Sequence, residues 1–258
     1  MERNKLIAYS LMYQGEYSSI LKAINENVEI PSDIMNKASN VTNAITLFDN
    51  EYPKAFLDLK YPPFVIWTEG NADLLKESCI GVVGSRMPHS YSVDATRSLV
   101  ISNKDKVIVS GLAKGIDTIA HQEAKKTIAV LGCGIDYIYP QANKQLYKQI
   151  LDNNGLLISE YPEITKPLSF HFPFRNRLIA ALSNTLYVME CKRNSGTTTA
   201  INDALELGRN VKVLPQSIYV DCECYNNTLI NEGAGIILSG VDVFVDDKEA
   251  ITNAQNAK

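Results

Sequence analysis

Gly84, Ser85 and Arg86 stand directly after an apolar, β-branched run at residues 80–83 and ahead of a segment of helical character over 92–103. Strand, tight turn, helix is the order of a βα turn. Gly84 lets the backbone come close to whatever lies above the strand, and the helix beyond aims N–H groups and a partial positive charge at the same place. Ser85 adds a hydroxyl and Arg86 a guanidinium. Such a turn suits an anion, most simply a phosphate, although the same glycine also suits a turn that holds no ligand. Stretches of similar composition recur at 110–117, with Gly111, Lys114, Gly115 and Asp117; at 132–136; at 159–162; and at 195–199, where Ser195, Gly196 and Thr197 open a helix. Gly111 and Gly115 suit tight turns, and Asp117 reads as the N-cap of a helix over 117–126.

The segment 166–200 carries the cations. It holds Lys166, Arg175, Arg177, Lys192 and Arg193 against one acid, Glu190, and interleaves them with Phe170, His171, Phe172 and Phe174. Nucleobases stack on such rings while guanidinium groups hold phosphates. A helix over 175–182 assigns Phe174 to core packing and leaves Phe172 open to either role. It also puts Arg177 one turn into the helix, beside its N–H groups, where a phosphate would sit, with Arg175 and Asn176 next to it. Catalysis finds less support. His89, His121 and His171 fall in separate loops, and Ser85 has no base that the sequence identifies. Neither G-x-G-x-x-G nor G-x-x-x-x-G-K-[ST] occurs, so no dinucleotide or P-loop cofactor is expected. Cys222 and Cys224, with three histidines in the chain, give no zinc pattern.

Strands and helices must position these loops. Apolar runs at 80–83, 107–109, 127–131, 156–158, 186–189 and 211–214 alternate with helical segments such as 117–126, 143–151 and 198–207. Continuous apolar strands separated by helices predict an α/β fold, a mostly parallel sheet with helices on both faces, whose ligand lies beyond the carboxyl ends of the strands. Residues 1–45 read as short helices, a small appendage, and 46–70 as a packed connection ending in a strand at 64–67. With 258 residues, 45% of them hydrophobic and 21% charged, the chain can bury a large core. Its net charge of −4 excludes diffuse coating by nucleic acid, so any such site is a local basic pocket. No apolar run nears the roughly 20 residues of a membrane span, and the start lacks a secretion signal, so a cytoplasmic protein is expected. Five scattered cysteines fit reduced thiols.

Val83-Gly84-Ser85-Arg86, the 110–117 block with His121, 131–136 with Tyr139-Pro140, 159–162, Phe172-Pro173 with 175–180, and Ser195-Gly196-Thr197 together resemble, in that order, the signature blocks of the DNA-processing protein A (DprA/Smf) family. The resemblance covers about 48–245. It implies an extended Rossmann-like sheet domain at 46–245; the family often adds a sterile-alpha-motif-like domain before it and a winged helix after it, and here this chain departs, with a reduced helical region expected at 1–45 and a short tail at 246–258 with no winged helix. It also implies a single-stranded DNA-binding recombination mediator, active in natural transformation, that protects incoming strands, loads the recombinase RecA onto them and works as a homodimer through the late part of the sheet. The DNA and phosphate ligands so implied are Gly84, Ser85, Arg86, Gly111, Lys114, Gly115, Phe172, Arg175, Asn176, Arg177, Ser195, Gly196 and Thr197. A nucleotide-processing enzyme of the phosphoribohydrolase kind is the alternative. Its P-G-G-x-G-T-x-x-E block is replaced here by Asn194 to Ala200, with no glutamate at the matching place.

Overall fold

The computed structural model describes residues 2–163, 165–219 and 224–238. Three short helices come first: α1 (Arg3–Met12), α2 (Tyr17–Asn25) and α3 (Ser32–Ser39). Then follow β1 (Ala44–Thr46), β2 (Val65–Gly70), β3 (Cys79–Gly84), α4 (Ser90–Ser102), β4 (Val107–Ser110), α5 (Ile116–Glu123) and β5 (Thr127–Val130). The chain continues with α6 (Lys144–Asp152), β6 (Leu156–Ser159), α7 (His171–Leu182), β7 (Thr185–Glu190), α8 (Gly196–Glu206), β8 (Asn210–Val213), α9 (Asn226–Asn231) and β9 (Gly235–Ile236).

The strands form one sheet in the order β1-β2-β6-β5-β4-β3-β7-β8-β9. From β6 to β9 every pairing is parallel, while β2 runs antiparallel to β6 and β1 antiparallel to β2. The fold is therefore the mostly parallel α/β sheet that the apolar runs predict. Side chains of a strand alternate between faces, and here both faces are apolar. Val107, Val109, Ile128, Val130, Leu186 and Val188 meet α7 and α8, whereas Ile80, Val82, Ile108, Tyr187 and Met189 meet α4 and α5. Helices on both faces follow directly from that pattern.

The N-terminal helices are built onto this sheet. Leu6, Ile7 and Ala8 of α1 lie in one core with Trp67, Ala129, Leu131 and Leu157, and the Trp67 indole N–H donates to Ser10 Oγ at 3.1 Å. Strand β2 begins one residue later and ends three residues later than the expected 64–67.

Two expectations for the helices are corrected. Helix α5 starts at Ile116 with Gly115 as its N-cap, so Asp117 sits in the first turn. Helix α7 starts at His171, four residues ahead of the expected 175, so Arg177 lies in mid-helix and not beside the first N–H groups. The cause is Pro173, which costs nothing within the first turn because the N–H it lacks has no intrahelical acceptor there. Arg177 is buried, and its guanidinium pairs with both Glu160 oxygens at 2.6 Å and donates to the Tyr61 carbonyl at 2.9 and 3.1 Å. It also lies 3.8 Å from the centroid of Phe174, whose ring packs with those of Tyr17 and Tyr61. This cluster clamps α2 and the 53–64 connection against α7. Removing one partner leaves a buried, uncompensated charge, so Arg177→Met is expected to cost about 3–5 kcal/mol of stability. Restoring neutrality with Arg177→Met/Glu160→Gln recovers most of that loss, as read from urea unfolding midpoints.

Candidate functional site

Strands β4, β5 and β6 lie to one side of β3 and β7, β8 and β9 to the other, so the strand order reverses between β3 and β7. At such a switch point the loops diverge and leave a crevice. The register between β3 and β7 shifts between Val83 and Gly84, which brings Gly84 opposite Glu190. A cavity of about 680 Å³ opens there. Val83, Gly84, Ser85, Arg86 and Met87 form one wall, and Lys192, Ser195, Gly196, Thr197 and Ala200 a second. A third comes from α7 and its approach, with Ser169, Phe172, Arg175 and Asn176 among its residues, and Ala113, Asp117 and Tyr139 also line the cavity.

Glycine is required at two places in this wall. A Cβ on Gly84 would stand 2.6 Å from Ile116 Cγ1, so a side chain would push α5 off the turn. Gly115 has φ +78 and ψ −126, a conformation that only glycine adopts readily, and a Cβ would run into the Ser85 carbonyl. That carbonyl accepts from Ile116 N–H at 3.1 Å, so the two turns brace each other. Met87 N–H donates to Ser85 Oγ at 3.1 Å and tightens the turn further. On the opposite wall Ser195 N–H donates to Thr198 Oγ1 at 3.0 Å, capping α8, and Thr197 Oγ1 donates to the Gly84 carbonyl at 3.4 Å. Asn176 Nδ2 donates to the Gly196 carbonyl at 2.8 Å, tying α7 to the start of α8. The first N–H groups of α8 are thus held against the end of β3, where their partial positive charge adds to that of Arg86 and Lys192.

Arg175 sits at the base of the cavity. It is 4% exposed, donates to the Gly111 carbonyl at 2.8 Å and makes a close hydrogen bond to the Val130 carbonyl. Gly111 makes room for it, since a Cβ there would overlap the guanidinium. Asp117 Oδ2 accepts from Gly111 N–H at 3.1 Å and Ala113 N–H at 3.3 Å. Burial pushes the Asp117 carboxyl up, while Arg175 and the two backbone N–H groups oppose that rise. On the same helix His121 is pushed down to about 3 by burial, with Arg175 adding to the effect, so its imidazole stays neutral. Its Nδ1 lies 2.7 Å from Thr127 Oγ1, a contact that joins α5 to β5.

The structure therefore sorts the thirteen expected ligands. Gly84, Ser85, Arg86, Phe172, Arg175, Asn176, Ser195, Gly196 and Thr197 all line the cavity. Gly111 and Gly115 stand behind the lining and fix its shape, Lys114 is exposed outside it, and Arg177 is spent on Glu160. Phe172 combines both roles left open for it. Its ring lies against Gly132, where a Cβ would stand 2.8 Å from Cδ1, and Arg86 Cζ is 5.9 Å from its centroid, within cation–π reach. Tyr139, not foreseen as a site residue, lies 5.3 Å from Phe172, ring centroid to ring centroid, and Met87, also in the lining, is 83% exposed. The signal available for Tyr139 was its place just before Pro140 in the loop after the third parallel strand. Among the described residues no group of three or more His, Cys, Asp or Glu is placed to hold a metal ion, and Cys222 lies outside the described residues. Among them, too, no helix is long and apolar enough to cross a membrane.

A backbone cradle of α8 N–H groups, two cations on flexible stems and a pair of tilted rings can hold a phosphate with a base beside it. Gly115→Ala is expected to cost about 1–3 kcal/mol, the price of backbone strain at positive φ, with the Ser85 turn displaced. The check is the denaturation midpoint together with the amide shifts of residues 84–87.

Comparison with known proteins agrees with this fold. The family model described as DNA recombination-mediator protein A matches residues 43–247. The DNA processing protein DprA of Streptococcus pneumoniae is 40% identical over 208 residues, covering 79% of this chain and 73% of that protein. An X-ray structure of DprA from Streptococcus pneumoniae superposes with a TM-score of 0.78 at 33% identity, over 95% of this chain and 98% of the other. DNA processing protein A of Helicobacter pylori, whose structure is described for its unique single-stranded DNA binding mode, superposes with a TM-score of 0.70 at 32% identity, over 83% of this chain and 96% of the other.

Proposed function

The chain belongs to the DNA recombination-mediator protein A family, and from that premise we propose that it binds single-stranded DNA at the cavity between β3 and β7. One observation carries the reading: Arg86, the start of α8 and the Phe172–Tyr139 ring pair all face one space at the switch point of the sheet. The N–H groups and Arg86 take backbone phosphate, and the rings take an unstacked base. A base in a duplex is not free to reach such rings, which favours single strands. Gly84, Ser85, Arg86, Phe172, Asn176, Ser195, Gly196 and Thr197 make the contacts in this reading. Gly111, Gly115, Arg175 and Arg177 hold the frame, and Lys114 extends the positive surface outside.

The protein acts by binding, without turnover, protecting the strand and presenting it to the recombinase RecA in the cytoplasm. Asp117, the one carboxylate in the lining among the described residues, is already engaged by two backbone N–H groups and stands beside Arg175, which suits a structural role better than that of a general base. A homodimer through the late sheet segment would set two cavities side by side and raise avidity. Ile218 and Tyr219, 83% and 92% exposed, together with Leu238, supply apolar surface for it. The parts of that segment at 220–223 and 239–245, and the tail 246–258, lie outside the described residues.

Arg86→Ala is expected to weaken oligo(dT) binding by about 1.5–3 kcal/mol, the worth of a hydrogen bond to a charged group. Fluorescence anisotropy checks it, and wild-type affinity in the variant would remove the assignment. Log affinity should fall linearly with log salt, by about 0.7 per phosphate contacted. Release of free base from nucleoside monophosphates, with no salt-dependent oligonucleotide binding, would favour the nucleotide-processing alternative.

A further inference from the structure

We propose that Phe170 is a second base-stacking platform on the rim of the cavity, where a strand leaving the Phe172–Tyr139 ring pair lays its next base. The inference rests on the single-stranded DNA reading given above and extends that site outward. Ser169 and Phe172, on either side of Phe170 in the chain, line the cavity, whereas Phe170 stands outside the lining and is 58% exposed. Two Cα steps separate Phe170 from Phe172, no more than about 7.6 Å, so one strand can reach both rings. The exposed ring is held in place. Phe170 is the N-cap residue of α7 with helical φ and ψ, and its carbonyl accepts from Phe174 N–H at 3.3 Å. Its ring meets that of His171 in a T-shape, centroids 4.7 Å apart at 82°, and His171 in turn stacks on Tyr161 at 3.9 Å and 19°. His171 and Tyr161 are both buried, so they form a rigid prop under the one ring left in water.

The turn that leads into α7 is closed twice. His171 N–H donates to the Leu168 carbonyl at 3.0 Å, and Leu168 N–H donates back to His171 Nδ1 at 3.4 Å. Leu168, 47% exposed, and Phe170 therefore present apolar surface from a fixed turn and not from a loose loop. Charge and continuity identify what covers them. The stretch from Lys166 to Phe170 holds a cation and no acid, and Lys166 is exposed. Glu163, the acid that precedes it, is paired with Lys37 at 2.6 Å. A ring beside an exposed cation, with the nearby acid neutralised, fits a base and its phosphate. The patch also joins the cavity directly, since Pro167 and Ser169 of the same turn line it. The occupant is therefore the next nucleotide of the strand already in the cavity. Every base has a π face, so the platform adds affinity without reading sequence.

The test is anisotropy with labelled oligo(dT) of about 16 nucleotides on the full chain and on Phe170→Ala, Phe170→Leu and Phe170→Tyr. Phe170→Ala should weaken binding about tenfold, within the range for loss of one base–aromatic stack. The slope of log affinity against log salt should stay that of the wild type, because no phosphate contact is lost. Phe170→Leu keeps apolar area without a π face and should bind as weakly as Phe170→Ala, while Phe170→Tyr should restore the wild-type value. Wild-type affinity in Phe170→Ala, or recovery by leucine as full as by tyrosine, would overturn the platform, the second result pointing to a plain apolar contact. Absence of oligo(dT) binding by the wild type would instead remove the function proposed above. A direct readout comes from the single tryptophan of the chain, Trp67, which is buried. Phe170→Trp adds one exposed indole, whose emission should be quenched by unlabelled oligo(dT) well beyond any change in the wild type. Emission that does not change while anisotropy shows the strand bound would overturn the platform.

Discussion

The buried guanidinium of Arg175 is the contact on which the site depends. It comes from α7, reaches the carbonyls at Gly111 and Val130, and stands beside Asp117 of α5. Four elements are therefore fixed to one planar cation: α7, the end of β4, the end of β5 and the first turn of α5. A charge this deep needs acceptors and a counter-charge near it: the two carbonyls accept from Nη1 and Asp117 supplies the opposite charge, while Nε has no hydrogen-bond partner among the described residues. The loops after β4 and β5 have the positions they have because Arg175 needs their acceptors.

From this anchor the remaining geometry follows. Asp117 folds the 111–115 segment around itself, Gly115 turns with a positive φ, and its neighbour Ile116 holds the Ser85 carbonyl. The Gly84–Arg86 turn is thus braced from the side of the sheet that carries β4. From the β7 side it is held by Thr197 and by Glu190. Phe172, directly ahead of Pro173 in the first turn of α7, lies over Gly132 because Arg175 sets the depth of the helix against the strand ends. The same helix carries Arg177 on its other side, where it clamps α2 and the connection before β2. One helix therefore shapes the cavity with one face and secures the N-terminal region with another.

The sheet was legible from the sequence because its strands are apolar on both faces, so runs such as 80–83 and 186–189 stand out without any alternation to decode. The loops that line the cavity were legible for a related reason: glycine, serine and threonine directly after an apolar run mark the turn where a strand ends. What could not be read was the sorting of the arginines. Arg175 and Arg177 are two residues apart and chemically identical, yet one lines the cavity and the other pairs with Glu160. The difference lies in where α7 begins, and Pro173 concealed that start, since proline fits the first turn of a helix as well as the loop before it. The role of Glu190 was equally hidden, because a register shift between two strands leaves no mark in either of them.

The central claim is that the crevice between β3 and β7 is where a single strand rests. Amide chemical-shift mapping with a short oligo(dT) tests it most directly. The account predicts perturbations at Gly84 to Met87, at Ser195 to Thr197 and around Phe172, with the Tyr17–Tyr61–Phe174 cluster unmoved. Shifts confined to the N-terminal helices or to β9, with the crevice silent, would contradict it.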